Sequence, residues 1–186
     1  THEENPLLEA EPFDDERART LTEEIRKEVH SLGLELQMVG HGWTCEPFGI
    51  RGEEWYVSKQ EIPPETRQLL AEVNGKRELW KGIALNTNLC YGKDEVRQRL
   101  VQAIVDYTRE NPDVDVVHFW LADASNNHCE CAKCAEKRPA DWYVEILNEA
   151  DKLMTASGIL TRIVFLVYCD LLWPPEHTKL AHSERF

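Results

Sequence analysis

The sequence predicts an α/β chain forming part of a (β/α) barrel of the TIM type, with parallel strands, alternating helices and no closure of the barrel within these residues. Three observations predict it. Amphipathic helical stretches alternate with short apolar runs. The two strongest runs, 114–121 and 163–167, are continuously apolar, the pattern of parallel strands covered on both faces. The 186 residues fit one domain, yet a closed eight-stranded barrel usually takes about 250.

The elements follow in order. Residues 1–13 carry Pro6 and Pro12 without a period and read as a lead-in segment. From Asp14 a helix is expected, because Ala18, Leu21, Ile25, Val29 and Leu32 recur at spacings of three and four. Gly33 stands where a helix end favours a left-handed residue. Residues 34–39 alternate and run into Gly40-His41-Gly42, a strand ending in a turn. The stretch 43–64 is long and irregular, as binding loops often are. A short helix is expected over 65–73, stopped by Gly75, and a short strand within 79–91. A helix over 94–110 puts Val96, Leu100, Ile104 and Tyr107 on one face and stops at Asn111-Pro112. After the strand 114–121 comes a Cys-rich loop, 123–140. A helix over 141–156 then turns Tyr143, Ile146, Leu147, Ala150 and Leu153 inward and closes at Gly158. The last strand, 161–168, leads to Leu171-Leu172-Trp173 and a stop at Pro174-Pro175. Strands joined by helices pair in parallel. No Gly-x-Gly-x-x-Gly follows any strand, which removes the phosphate site of a dinucleotide-binding sheet.

The net charge is −13, from 34 acidic and 21 basic residues, with no basic stripe for a nucleic-acid backbone. No apolar run approaches the roughly 20 residues of a membrane span. A neutral carbohydrate suits this surface. The chain starts at Thr1, so a processed or cut start is expected and any targeting segment is unobservable. The compartment stays open, with the cytoplasm slightly favoured over secretion.

Sites in parallel α/β folds lie at the C-terminal ends of strands. The first strand delivers His41, Trp43, Cys45 and Glu46. The second delivers Trp120, Asp123, Ser125, Asn126 and Asn127, and the third Tyr168, Asp170, Trp173 and Glu176. Carboxylates beside Trp and Tyr are the chemistry of a sugar site: aromatic faces stack on pyranose rings while carboxylates accept from hydroxyls or exchange protons. Asp123, Glu46 and Asp170 are the catalytic candidates. His41, Trp43, Trp120, Asn126, Tyr168 and Trp173 are the substrate-binding candidates. Several have plain structural readings: Trp120 as core, Asp123 as a turn cap, Trp173 as packing against its own prolines.

The run Cys129-x-Cys131-x-x-Cys134 can hold a borderline ion such as zinc, which needs about four ligands. The fourth would be Cys90, Cys45, Cys169, His128 or His41. A disulfide or free thiols are the other readings. No cofactor is expected for catalysis; a structural zinc is the cofactor this loop would take.

The run His118-Phe119-Trp120-Leu121-Ala122-Asp123 followed by the three cysteines resembles a bacterial family, domain of unknown function 4838, grouped with barrel-type glycoside hydrolases. Gly40-His41-Gly42-Trp43, Asn74-Gly75-Lys76-Arg77, Leu89-Cys90, Asn111-Pro112, Asn148-Glu149 and Tyr168 with Pro174-Pro175 agree with it, over residues 33–176. The resemblance implies a barrel similar to those of family 20 hexosaminidases and α-glucuronidases, with strands three, four and five ending at His41, Asp123 and near Asp170. The hexosaminidases end their fourth strand in an Asp-Glu pair. Here Ala124 follows Asp123, so that mechanism does not carry over. The expected function is a glycoside-hydrolase-like barrel acting on or binding carbohydrate. A non-catalytic binding or scaffold barrel with a structural Cys-rich loop is the alternative. Three strands leave two open edges, so the rest of a larger parent chain, or self-association, is the expected partner.

Overall fold

The structure is a computed structural model that describes residues 15–38, 40–52 and 55–186. The lead-in segment and Val39 of the first expected strand lie outside them. The chain divides into two compact units at the Leu36–Gln37 boundary.

The first unit holds helix α1 (Asp15–Ser31). Gly33, at φ +69°, ends it: the Gly33 amide bonds His30 O and the Leu34 amide bonds Val29 O, a left-handed C-terminal cap. Its apolar stripe is poorly covered, with Ile25 61% and Leu32 64% exposed.

The second unit is built on a three-stranded parallel sheet of β1 (Gln37–Met38), β4 (Val116–His118) and β5 (Arg162–Val164), in the order β1-β4-β5. Gln37 pairs with Val116, and Val117 with Ile163. Backbone bonds extend the ladder past the strand ends: the Phe119 amide donates to Val164 O and the Trp120 amide to Gly40 O. The sheet does not close on itself, leaving β1 and β5 as edges.

Helices α3 (Asp94–Glu110) and α4 (Pro139–Ala156) pack on one another and on the sheet. Val117, Phe119 and Ile163 meet Leu100, Ile104, Ile146, Leu147 and Met154 in one core. Each such fully buried side chain is worth about 1.5–3 kcal/mol. Pro139 starts α4, where a missing amide hydrogen costs nothing. Met154, fully buried, takes the inward place expected for Leu153, which is 36% exposed.

The structure departs from expectation at three other points. The helix expected over 65–73 is a single turn, α2 (Pro64–Arg67). The chain then forms a hairpin of β2 (Glu72–Val73) and β3 (Lys76–Arg77). Asn74 and Gly75, at φ +52° and +72°, make its turn, as the Asn-Gly pair favours. The strand expected within 79–91 is reduced to single bridges, Ile83 to Val57 and Leu89 to Leu70. The strand at 161–168 is an edge: Ile163 is buried, but Val164, Val167 and Tyr168 are exposed.

From α4 a polar ladder holds the C-terminal segment. Asp141, fully buried, accepts the amides of His177 (2.7 Å) and Thr178 (2.9 Å) on Oδ1 and that of Glu176 (3.1 Å) on Oδ2. Asn148 accepts the Ala181 amide at 2.9 Å and donates to Lys179 O at 2.9 Å. Asp151 meets His182 and Arg185.

Candidate functional site

The strand ends bring four of the candidate residues together, His41, Trp120, Asp123 and Tyr168. Gly40 must be glycine, because a Cβ there would lie 1.5 Å from the His118 carbonyl oxygen. Gly42 sits at φ +97°, against the Glu46 carboxylate. Between them His41 stacks edge-on to Trp120, with ring centres 4.7 Å apart, and to Trp55 at 5.2 Å. Burial lowers the His41 pKa, and the Asp123 carboxylate opposes that shift. Tyr168, from the end of β5, also faces Asp123. The neighbouring Cys169 thiol, then the charge and hydrogen bond of Asp123, push the phenol up to about 12. Asp123 thus interacts with both His41 and Tyr168, and the three residues follow three adjacent strands.

Asp123 is held by its backbone. Its amide donates to Leu85 O at 2.9 Å, and its Oδ1 accepts the Ala124 amide at 2.8 Å. Ala124 (φ +72°), Asn126 (φ +56°) and Cys169 (φ +47°) all adopt the left-handed region that costs a non-glycine residue of order 1 kcal/mol or more. A buried amide network holds this loop. Asn127 Nδ2 donates to Asp123 O (2.6 Å) and Asn86 O (2.7 Å). Its Oδ1 accepts from Asn88 Nδ2 (3.0 Å), whose Oδ1 accepts from the Tyr91 hydroxyl (2.7 Å).

The other candidates are placed differently. Glu46 turns to its own loop, its Oε1 accepting the Gly52 amide at 3.2 Å. Trp43 packs between Tyr107 and Phe119 and donates its indole N–H to His118 O at 2.9 Å, so it braces β4 against α3. Asp170 Oδ2 accepts the Asn126 amide at 2.6 Å, tying the loops after β4 and β5 together. Trp173 is 70% exposed. Trp120 is half-buried, its indole nitrogen enclosed without a hydrogen-bond partner among the described residues.

The thiolate cluster is the other centre. The sulfurs of Cys90, Cys129, Cys131 and Cys134 all lie within 4.8 Å of one another. Cys90 Sγ is 3.6 Å from Cys131 Sγ and 3.7 Å from Cys134 Sγ. A tetrahedral ion with metal–sulfur arms of ~2.3 Å has edges of about 3.8 Å, so the set fits such an ion. All six cysteines stand as free thiols. Among the nominated fourth ligands the geometry selects Cys90. Cys45 is fully buried and burial pushes its thiol up to about 12.

The surroundings stabilise negative sulfur. The Glu72 amide donates to Cys129 Sγ at 3.3 Å and the Gly92 amide to Cys134 Sγ at 3.2 Å, with Arg77 Nη1 3.9 Å from Cys129 Sγ. Gly92 permits this approach, since a Cβ there would lie 2.8 Å from Lys133 Cγ and 3.1 Å from that sulfur. Hydrogen bonds from the Cys134 and Cys90 thiols, then the Glu72 amide, hold Cys129 well below the usual thiol range against burial. The hairpin closes over the loop: the Glu130 amide donates to Glu72 O, and Glu130 Oε2 accepts the Asn74 amide, both at 2.7 Å.

Sequence reasoning missed Asn88, a single amide in a loop with no periodic signal, placed Asn127 at the strand end without its bracing role, and could only nominate Cys90. Among the described residues no helix is long and apolar enough to cross a membrane. Compared with known proteins, the chain matches no protein-family model, no curated protein and no solved structure.

Proposed function

We propose that the chain is the strand three-to-five segment of a (β/α) barrel of the glycoside hydrolase type, related to domain of unknown function 4838, acting on carbohydrate at its C-terminal strand ends. The observation that carries this reading is the meeting of Asp123 with His41 and Tyr168 at three adjacent parallel strand ends, beside the Trp120 and Trp55 rings. In this reading Asp123 is the acid or the hydroxyl anchor, His41 and Tyr168 orient it, and the indoles give a sugar its apolar wall. The four thiolates hold a structural zinc that fixes the loop after Asp123; a closed four-sulfur set leaves no position for substrate. The open β1 and β5 edges are covered by further strands of a larger parent chain or by another copy.

A screen of nitrophenyl glycosides and glycans tests the reading, with an Asp123→Asn variant. As a general acid Asp123 should carry roughly a hundredfold or more of the turnover. Unchanged rate and unchanged sugar affinity would remove it. A second reading, sugar binding without chemistry, draws support from one observation: the partners a carboxylate pair would need are engaged elsewhere, Glu46 by the Gly52 amide of its own loop and Asp170 by the Asn126 amide of the neighbouring loop. It expects lost affinity in Asp123→Asn and no turnover by either protein.

A further inference from the structure

Beyond the Asp123 centre, a cavity of about 420 Å³ opens between the loops that follow β4 and β5. That volume lies in the range of small-ligand sites, about 300–1,000 Å³. Its wall includes Asn126, His128, Glu130, Arg138, Asp170 and Trp173.

Three features give it a chemical character. Trp173 is 70% exposed and makes no ring contact or hydrogen bond among the described residues, so both its face and its indole N–H are available. His128 is half-buried against the thiolate loop, yet its imidazole has no hydrogen-bond partner among the described residues. Asp170 spends one oxygen on the Asn126 amide, and the other has no hydrogen-bond partner among the described residues. A flat apolar face beside an unpartnered imidazole and a carboxylate oxygen matches the two sides of a pyranose, whose axial C–H face stacks while its hydroxyls donate and accept.

The charges decide which sugar. Arg138, the one cation in the wall, is already matched by Glu176 and donates to Pro174 O at 3.0 Å. No Lys or Arg pairs with Asp170 or Glu130 among the described residues. The cavity therefore keeps two uncompensated carboxylates, which repel an anionic ligand. We infer that the cavity between the β4 and β5 loops is a binding subsite for an uncharged pyranoside, stacked on Trp173 and hydrogen-bonded to Asp170 and His128, and that it discriminates against uronic acids. This rests on the carbohydrate reading above and adds a subsite and a charge class to it.

The test follows the indole N–H signals of the full chain labelled at its six tryptophans. Cellobiose, N,N′-diacetylchitobiose and digalacturonate are titrated in. At least one neutral disaccharide should move the Trp173 signal, assigned by its loss in Trp173→Phe. Its affinity should fall tenfold or more in Trp173→Ala and in Asp170→Asn, and digalacturonate should bind at least tenfold more weakly. Trp173 projects into solvent, so its removal leaves the core untouched. A neutral sugar that moves Trp120 but not Trp173, with full affinity in Trp173→Ala, would overturn the subsite and leave the Asp123 reading standing. Digalacturonate binding as tightly as the neutral sugars would overturn the charge class. No response of any indole to any sugar would overturn the subsite together with the carbohydrate reading.

Discussion

Replacing Cys90 with Ser removes one sulfur from the four-thiolate set and leaves the three local ones in place. The edges of 3.6 and 3.7 Å from Cys90 to Cys131 and Cys134 make it a full member of the tetrahedron. Structural zinc sites bind with roughly 10–16 kcal/mol shared by four ligands, so one thiolate carries about 3 kcal/mol. By the usual conversion that is roughly a hundred- to thousandfold in affinity. The assay is competition for zinc against a chromophoric chelator, with stoichiometry by elemental analysis. Cys169→Ser serves as the control, because Cys169 lies in the loop after β5, outside the cluster. Equal zinc affinity in Cys90→Ser and the parent chain, or a larger loss in Cys169→Ser, would refute the assignment of the fourth ligand.

Asp141→Asn keeps an acceptor for His177 and Thr178 but turns an amino group toward the Glu176 amide, and should cost about 2–3 kcal/mol in urea unfolding. Burial raises the Asp141 pKa, and the three amides together outweigh it, so the folded value is depressed. The stability it adds is therefore present above the unfolded value of about 3.9 and lost as pH falls through the lower folded value, so the gap between variant and parent should shrink below about pH 4. Gly40→Ala drives a Cβ against the fixed His118 carbonyl and the Trp43 indole N–H. It should cost about 3 kcal/mol and lower Tm by roughly 6–12 °C in calorimetry. Asn127→Leu unties the Asp123 carbonyl and orphans Asn88. It should raise hydrogen exchange at the Asp123 and Asn126 amides while α3 and α4 stay protected.

The sheet and its helices were legible because their signals are long. The apolar run at Val114, Val116, Val117 and Phe119 became the central strand, and the stripe of Val96, Leu100 and Ile104 became the buried face of α3. Shorter signals misled. Asn74-Gly75 is a hairpin turn, but Gly75 also reads as a helix stop, and the polar residues before it, Glu65 to Gln68, have good helix propensity. Burial of β5 was overestimated because an apolar run does not reveal whether a neighbour strand lies beyond it. At the site, residues that end strands were legible, since the strand fixes where they emerge. What each side chain bonds was not. Glu46 and Trp43 follow the same strand as His41, yet one turns to Gly52 and the other to His118.

Cys90 and Cys129 stand 39 positions apart (129 − 90), with all of α3 and β4 between them. Cys129, Cys131 and Cys134 can gather around an ion while the chain is still unfolded, because six residues hold them close. Cys90 can join only when α3 has been laid against the sheet. An ion in this site is therefore a cross-link as well as a ligand. Closing a loop of about 40 residues removes roughly 4 kcal/mol of conformational entropy from the unfolded chain. With an ion bound, the local trio could hold it before the chain folds, while the bond to Cys90 would close only with α3 and β4 in place, so that metal supply would bear on folding speed.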